Sequence, residues 1–336
     1  MAEMTPRQRV LLAVKHQEPD RVPYDFTFTE PARRKLEAYY GTRDLVSRLN
    51  CHMVRYKPRL PADEPDPRPG YYRDEFGVVW NQTIDKDIGI PDDYLLKSRS
   101  LRGFVMPDPD DPRRYAGLPA YLAANPDRFR LVSFAYTLFE RAWSLRSMPE
   151  LLVDMLEAPE WVDELFDALT EFNLGVLRGI LKYDVDGIIF GDDWGQQHGL
   201  IFSPALWRRF IKPRLARLFA EVKQSGRVTM IHSCGKVQEL FPDLIEIGLD
   251  VFNPFQPDVM DVYAIKRQYG DRLAFYGGMS VQTLLPRGTP QQIREETRRL
   301  KEEIGRGGGF ILAPSHHMPG DIPLENMLAF IEAAQQ

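Results

Sequence analysis

Val185-Asp-Gly-Ile-Ile-Phe190, Arg227-Val-Thr-Met-Ile-His232, Leu249-Asp-Val-Phe-Asn253, Leu273-Ala-Phe-Tyr-Gly277 and Gly309-Phe-Ile-Leu-Ala313 recur through the second half of the chain. Each is a short apolar run of the kind that forms a buried strand. Helical stretches separate them. Pro204–Lys223 has Ser203 as N-cap and a proline in its first turn. Val237–Ile247 and roughly Val259–Tyr269 follow. Pro290–Ile304 carries dense charge and stops at Gly305 and Gly307, and Pro323–Ala334 closes the series. Repeated strand–helix units predict a parallel sheet with crossover helices.

Working outward, Arg21–Phe28 and Arg130–Ala135 read as further strands, and Pro149–Lys182 as one or two long helices. That makes seven strands, with an eighth expected in the irregular stretch between them. No Gly-rich dinucleotide fingerprint follows any strand. The expected fold is therefore an α/β (β/α)8 TIM-type barrel, a single domain over 1–336. Between Lys57 and Pro119 the rhythm stops, and ten of the 27 prolines fall there. This stretch includes Pro61-Ala62-Asp63-Glu64-Pro65 and Pro107-Asp108-Pro109-Asp110. Tyr71, Tyr72, Phe76, Val78, Val79 and Trp80 are too apolar for a solvated linker. Residues 57–119 are read as an insertion with a small hairpin around Asp74–Thr83, either capping the active site or shielding helices.

The composition narrows the function. Over 336 residues, Lys+Arg 43 against Asp+Glu 48 gives a net charge of −5, so no basic excess is available for a nucleic-acid backbone. No apolar run approaches the roughly 18–20 residues of a membrane span. Met1-Ala2-Glu3-Met4-Thr5-Pro6-Arg7 lacks the apolar core of a signal peptide. Cys51 and Cys234 alone cannot build a disulfide framework. The expectation is a cytoplasmic protein with free thiols.

In parallel barrels the chemistry sits at the C-terminal strand ends. The residues following the five runs are Gly191-Asp192-Asp193-Trp194-Gly195, His232-Ser233-Cys234-Gly235, Asn253-Pro254-Phe255-Gln256, Gly277-Gly278 and Pro314-Ser315-His316-His317. His232 and Cys234, at i and i+2, point to one side of an extended chain. Nitrogen and thiolate suit Zn²⁺, and His316 or His317 would complete a three-ligand site with one open position. Two other readings stand beside this one. One is a thiolate–imidazole nucleophile, although i,i+2 neighbours seldom reach the linear hydrogen bond it needs. The other is a pair of ordinary buried residues. Of Asp192 and Asp193, at most one faces the site while the other caps a helix or turn. Glu140, in Phe139-Glu140-Arg141-Ala142-Trp143, is a candidate ligand or base, or one half of a local Glu–Arg pair. His16, His52 and Cys51 have no converging partners, and His198 lies in a loop.

At these residues the chain resembles the uroporphyrinogen decarboxylase superfamily, nearly end to end. The opening Met4-Thr5-Pro6-Arg7-Gln8-Arg9 and Pro19-Asp20-Arg21-Val22-Pro23 carry the likeness, as do Phe202-Ser203-Pro204, Lys212-Pro213, Leu285-Pro286-Arg287-Gly288-Thr289-Pro290 and Gly308-Gly309-Phe310-Ile311-Leu312-Ala313-Pro314. The strand-end motifs above add to it. The resemblance implies a (β/α)8 barrel. True decarboxylases of this type carry an N-terminal Arg-Gln-Ala-Gly-Arg-type segment that binds the porphyrinogen carboxylates, and the corresponding stretch here, after Pro23, is Tyr24-Asp25-Phe26-Thr27-Phe28-Thr29-Glu30, with no arginine pair. The likeness therefore leans toward the zinc- and corrinoid-dependent methyltransferases, whose His-x-Cys-Gly motif His232 and Cys234 match. His316 stands where that branch has its second cysteine, making the site less negative by one charge.

The resemblance implies a metal set of His232, Cys234 and His316. Asp192, Asp193 and Glu140 would act as catalytic residues, and Gln256, Tyr276 and Asn253 would line the substrate pocket. The implied activity moves a methyl group between a corrinoid and a thiol or a methoxy or methylamine compound. Zn²⁺ would be the resident cofactor. The cobalamin would come from a partner protein or as free substrate, since no cobalamin-binding domain is visible. The alternatives are a decarboxylase of a porphyrinogen-like or smaller carboxylated substrate, and a non-catalytic binding paralogue.

Overall fold

The computed structural model describes residues 3–60, 66–83 and 89–336; the Pro61–Pro65 run and Met1-Ala2 lie outside them. Seven strands form one parallel sheet: β1 (Met53–Tyr56), β2 (Phe129–Phe134), β3 (Gly187–Gly191), β4 (Val228–His232), β5 (Val251–Phe255), β6 (Ala274–Met279) and β7 (Phe310–Pro314). Their spatial order is their chain order. That is what right-handed crossovers between successive strands produce. Beyond β7, Tyr24 bridges to Leu312 in parallel. The Asp25 N–H donates to the Leu312 carbonyl at 3.0 Å, and the Leu312 N–H to that of Pro23 at 2.9 Å. On its other side, the Tyr24 carbonyl accepts from the N–H of His52, next to β1, at 3.1 Å.

Alternate strand residues feed two apolar layers. Leu131, Ile189, Met230, Val251, Ala274 and Ile311 face inward, where Val10 and Val14 of the N-terminal helix Pro6–Val14 join them. Val132, Phe134, Ile188, Phe190, Phe252 and Phe275 face outward into the cluster shared with the helices. Burial on both faces explains why the strands read as continuous apolar runs.

Element ends differ from the sequence expectation in consistent ways. The run expected at Leu249–Asn253 is paired as Val251–Phe255, because Pro254 continues the strand. The helix expected over Pro204–Lys223 breaks into Pro204–Phe210 and Lys212–Gln224, since Pro213 fits only a first helical turn. Pro242 has the same effect on Val237–Ile247, which becomes a 3-10 turn Gln238–Leu240 and a short helix Phe241–Glu246. Pro149–Lys182 holds two helices, Met148–Glu157 and Pro159–Ile180. Pro290–Ile304 ends as a π turn over Leu300–Ile304. Arg21–Phe28, expected as a strand, contributes only the isolated bridges Tyr24–Leu312 and Phe28–Met318; the strand that the sequence did not single out is β1, just ahead of the irregular stretch.

Within that stretch, Tyr71–Arg73 pairs antiparallel with Val79–Asn81, and Val79–Asn81 with Ile90–Pro91. The hairpin thus begins three residues before the expected Asp74. Asp74 organises its turn by accepting from the N–H groups of Phe76 at 3.0 Å and Val78 at 3.1 Å. Its other oxygen accepts from Trp80 Nε1 at 3.0 Å and Arg141 Nη1 at 2.6 Å. Phe76, Val78, Trp80 and Leu96 belong to the same apolar cluster as the sheet and its helices. Among the described residues, no helix is long and apolar enough to cross a membrane.

Candidate active site

Register places the site. Gly191, His232 and Asn253 are direct neighbours across β3, β4 and β5. Chain leaving these strand ends therefore opens into one mouth. The loop after β3 and the loop after β4 interlock by backbone contact. Gly235 has φ +87°, and a Cβ there would lie 2.4 Å from the Gly195 carbonyl carbon and 2.5 Å from the Gln196 nitrogen. A Cβ on Gly195 would meet the Cys234 oxygen at 2.6 Å. Only glycine fits either position. Gly235→Ala is expected to cost about 2–3 kcal/mol in urea unfolding, from strain plus the backbone clash. A loss below about 0.5 kcal/mol would contradict this packing.

His232 Nε2 and Cys234 Sγ lie 3.3 Å apart, closer than i,i+2 spacing suggested. With His316 from the segment after β7, the three offer donor atoms all within 4.8 Å of one another. His317 is not part of this set, and its ring centroid is 5.3 Å from that of His316. His232 Nδ1 meets Asn253 Oδ1 at 2.6 Å. The Asn253 amide is fixed by its Nδ2 donating to the Tyr276 carbonyl at 3.0 Å. An amide oxygen only accepts, so Nδ1 carries the proton and Nε2 presents its lone pair toward Cys234.

The two neighbouring aspartates divide the work. Asp192 is fully buried and accepts the N–H groups of Leu138 at 3.2 Å, Phe139 at 3.0 Å and Glu140 at 2.9 Å. It also accepts Trp194 Nε1 at 2.7 Å. It thereby caps the helix Phe139–Arg146, which has no side-chain cap of its own. Burial lifts its carboxyl to about 6 while these donors pull the other way. Asp193 faces the site. Its Oδ1 accepts the Cys234 N–H at 2.7 Å and lies 3.9 Å from His232 Nε2. Glu140, in the first turn of the capped helix, is half-buried, and desolvation first and Asp193 second push its carboxyl well above the usual range.

The residues expected to line a substrate pocket hold protein groups instead. Asn253 orients His232. Gln256 Oε1 accepts the Gly235 N–H at 2.7 Å, fixing the loop that bears Cys234. The Tyr276 hydroxyl donates to Asp25 and accepts from Arg55 inside the sheet. His52 packs against the Tyr24 ring with centroids 4.1 Å apart, away from the donor set. His198 lies between the short paired segments Gly195–Gln196 and Gly199–Leu200. Sequence reasoning missed Arg55 and Asp25, whose only signal was charge inside otherwise apolar runs.

The donor chemistry fits a metal ion. Burial raises the Cys234 thiol well above 9, and Asp193 and Glu140 add to the rise. No cation lowers it, which disfavours a standing thiolate–imidazole nucleophile. Loss of solvation, then the nearby His232, brings His316 down to about 4, leaving a neutral imidazole. Two imidazoles, a thiol and nearby carboxylates form an electron-rich set that a divalent cation would satisfy.

Donors from separate strand ends, gathered at the mouth of a parallel sheet, define an α/β protein with an enzyme-like site. The uroporphyrinogen decarboxylase (URO-D) family matches residues 120–336, and the chain belongs to it. It is 28% identical over 178 residues to a methylated-thiol–coenzyme M methyltransferase of Methanosarcina mazei, covering 53% of this chain and 45% of the relative. To a uroporphyrinogen decarboxylase of Coxiella burnetii it is 25% identical over 184 residues, covering 54% and 49%. The chain thus spans about half the length of the curated relatives it matches. A solved methyltransferase from Methanosarcina mazei shares the fold over 99% of each chain, with a TM-score of 0.73 at 19% identity.

Proposed function

We propose that the protein is a zinc-dependent methyltransferase that moves a methyl group between a corrinoid and a thiol, methoxy or methylamine compound. The observation that carries this reading is the convergence of His232, Cys234 and His316, in a family whose relatives include enzymes named as methyltransferases. Zinc bound there would supply Lewis acidity, holding an acceptor thiol as thiolate or polarising a methoxy or methylamine group. Held by one thiolate and two imidazoles, Zn²⁺ would keep a net positive charge, which would suit polarisation of a neutral donor.

The chain's own residues do the rest. Asn253 holds Nδ1–H of His232 so that Nε2 stays available. Asp193 holds the Cys234 backbone in place. Glu140 keeps its proton to higher pH than an ordinary glutamate and can donate it as the leaving group departs. Asp192 serves by positioning Glu140. We read Pro23–Asp25 as the eighth stave closing the barrel between β7 and β1, supported by its hydrogen bonds on both sides. The chain is read as one domain, with the 57–119 insertion capping the mouth through the Arg141–Asp74 bridge. The corrinoid would arrive as free cobalamin or on a partner protein.

The test is anaerobic. Zinc-loaded protein is mixed with methylcobalamin and a panel of thiols, and separately with cob(I)alamin and methyl ethers or methylamines, while the cobalt–carbon absorbance is followed. Turnover in one direction, reduced about 100-fold or more in Cys234→Ser, is expected. Zinc-replete protein inert in both directions would remove the reading.

A further inference from the structure

The chain leaves strand β1 as Lys57-Pro58-Arg59, and Pro58 keeps Lys57 extended. Alternate side chains therefore go on facing opposite ways. Tyr56 and Pro58 turn toward the insertion: Tyr56 Oη donates to the Arg114 carbonyl at 2.7 Å, and Pro58 is buried beside Arg114. Arg55, Lys57 and Arg59 share the other side. Arg55 is anchored by the Tyr276 hydroxyl and lies 3.7 Å from Asp25. Lys57 and Arg59 have no hydrogen-bond or ion-pair partner among the described residues, and the Arg59 guanidinium lies 5.0 Å over the Tyr136 ring.

This row lies within electrostatic reach of the donor set, and Tyr276, whose hydroxyl anchors Arg55, holds through its carbonyl the Asn253 amide that orients His232. The charges of Arg55 and Lys57 act on His317, that of Arg55 on His316, and that of Arg59 on Glu140. Lys57 and Arg59 reach solvent, yet desolvation lowers both their pKa values. They also repel one another, Arg59 and Arg55 both acting on Lys57. An anion lying along the row would relieve that repulsion and take charge-assisted hydrogen bonds from it.

We propose that Lys57 and Arg59, with Arg55 behind them, form an anion subsite, so that the small molecule presented to His232, Cys234 and His316 is an acid. Its carboxylate, sulfonate or phosphate lies on the row while its reactive end reaches the donor set. The identity of that reactive end rests on the methyl-transfer reading, whereas the row alone calls for the anion.

Calorimetric titration of the zinc-loaded full chain compares 3-mercaptopropionate with 2-mercaptoethanol, a thiol without the carboxylate. The Lys57→Gln/Arg59→Gln double variant is run beside the wild type. The acid is expected to bind at least about tenfold tighter than the neutral thiol in the wild type. In the double variant that preference should shrink to about twofold, with zinc content and neutral-thiol affinity unchanged. Equal affinities in the wild type, or a preference that survives in the double variant, overturn the subsite. Failure of the zinc reading would show separately, as wild-type protein that takes up no metal. Succinate titrated into wild type and double variant then decides the row alone. A loss of about tenfold or more supports it, and equal binding overturns it.

Discussion

Cys234→Ser and His316→Ala are each expected to strip the protein of bound zinc. Wild type purified without chelator should carry about one zinc per chain, and each variant should fall more than about 100-fold in affinity, since even partners behind the ligands cost 10–100-fold. Proton release supplies a second signature. The thiol of Cys234 titrates well above 9 in the metal-free site, so at neutral pH it holds a proton that zinc must displace. His316, at about 4, has none to lose. Zinc affinity should therefore weaken about tenfold per unit as pH falls from 8 to 6, with about one proton released per metal. Elemental analysis and calorimetry in two buffers measure both. Metal-free wild type from zinc-supplemented medium, or variants that keep their zinc, would sink the assignment.

Asp192→Ala is expected to be the most damaging single change to stability near the site. Four N–H donors converge on that buried carboxylate, and alanine would leave all of them unsatisfied. Allowing for partial relaxation, the cost is about 3–5 kcal/mol. Asp193→Ala, at a half-buried side chain with one backbone partner, should cost about 1 kcal/mol or less. Urea unfolding followed by tryptophan fluorescence compares them. Asp192→Ala within about 1 kcal/mol of wild type would refute the capping role.

The contrast shows where the sequence was legible. Strands buried on both faces announce themselves as apolar runs, so the sheet could be read from Val185 onward. The rule that chemistry gathers at their C-terminal ends picked out His232 and Cys234 with either His316 or His317, and it is His316 that comes within reach of the pair. Adjacency could not say which of Asp192 and Asp193 was spent on the scaffold, because that depends on a helix N-terminus some 50 residues upstream. Asn253 and Gln256 read as substrate contacts since polar groups at strand ends usually have free donors or acceptors; here the His232 ring and the Tyr276 carbonyl hold the Asn253 amide, and the Gly235 N–H takes Gln256 Oε1. The prolines around Arg55, Lys57 and Arg59 hid the alternation that aligns these cations. Helix breaks at Pro213 and Pro242 were visible in principle, because proline's missing N–H fits a first turn far better than an interior one.

The donors come from β4 and from the end of β7, with β5 and β6 between them. Cys234 and His316 are 82 positions apart along the chain. A metal held by both would act as a reversible cross-link closing a long loop, much as a disulfide would. In polymer terms, a closure of that length denies the unfolded ensemble entropy worth on the order of 4 kcal/mol. Metal supply would then set how long each molecule survives between synthesis and degradation, as well as whether it can react.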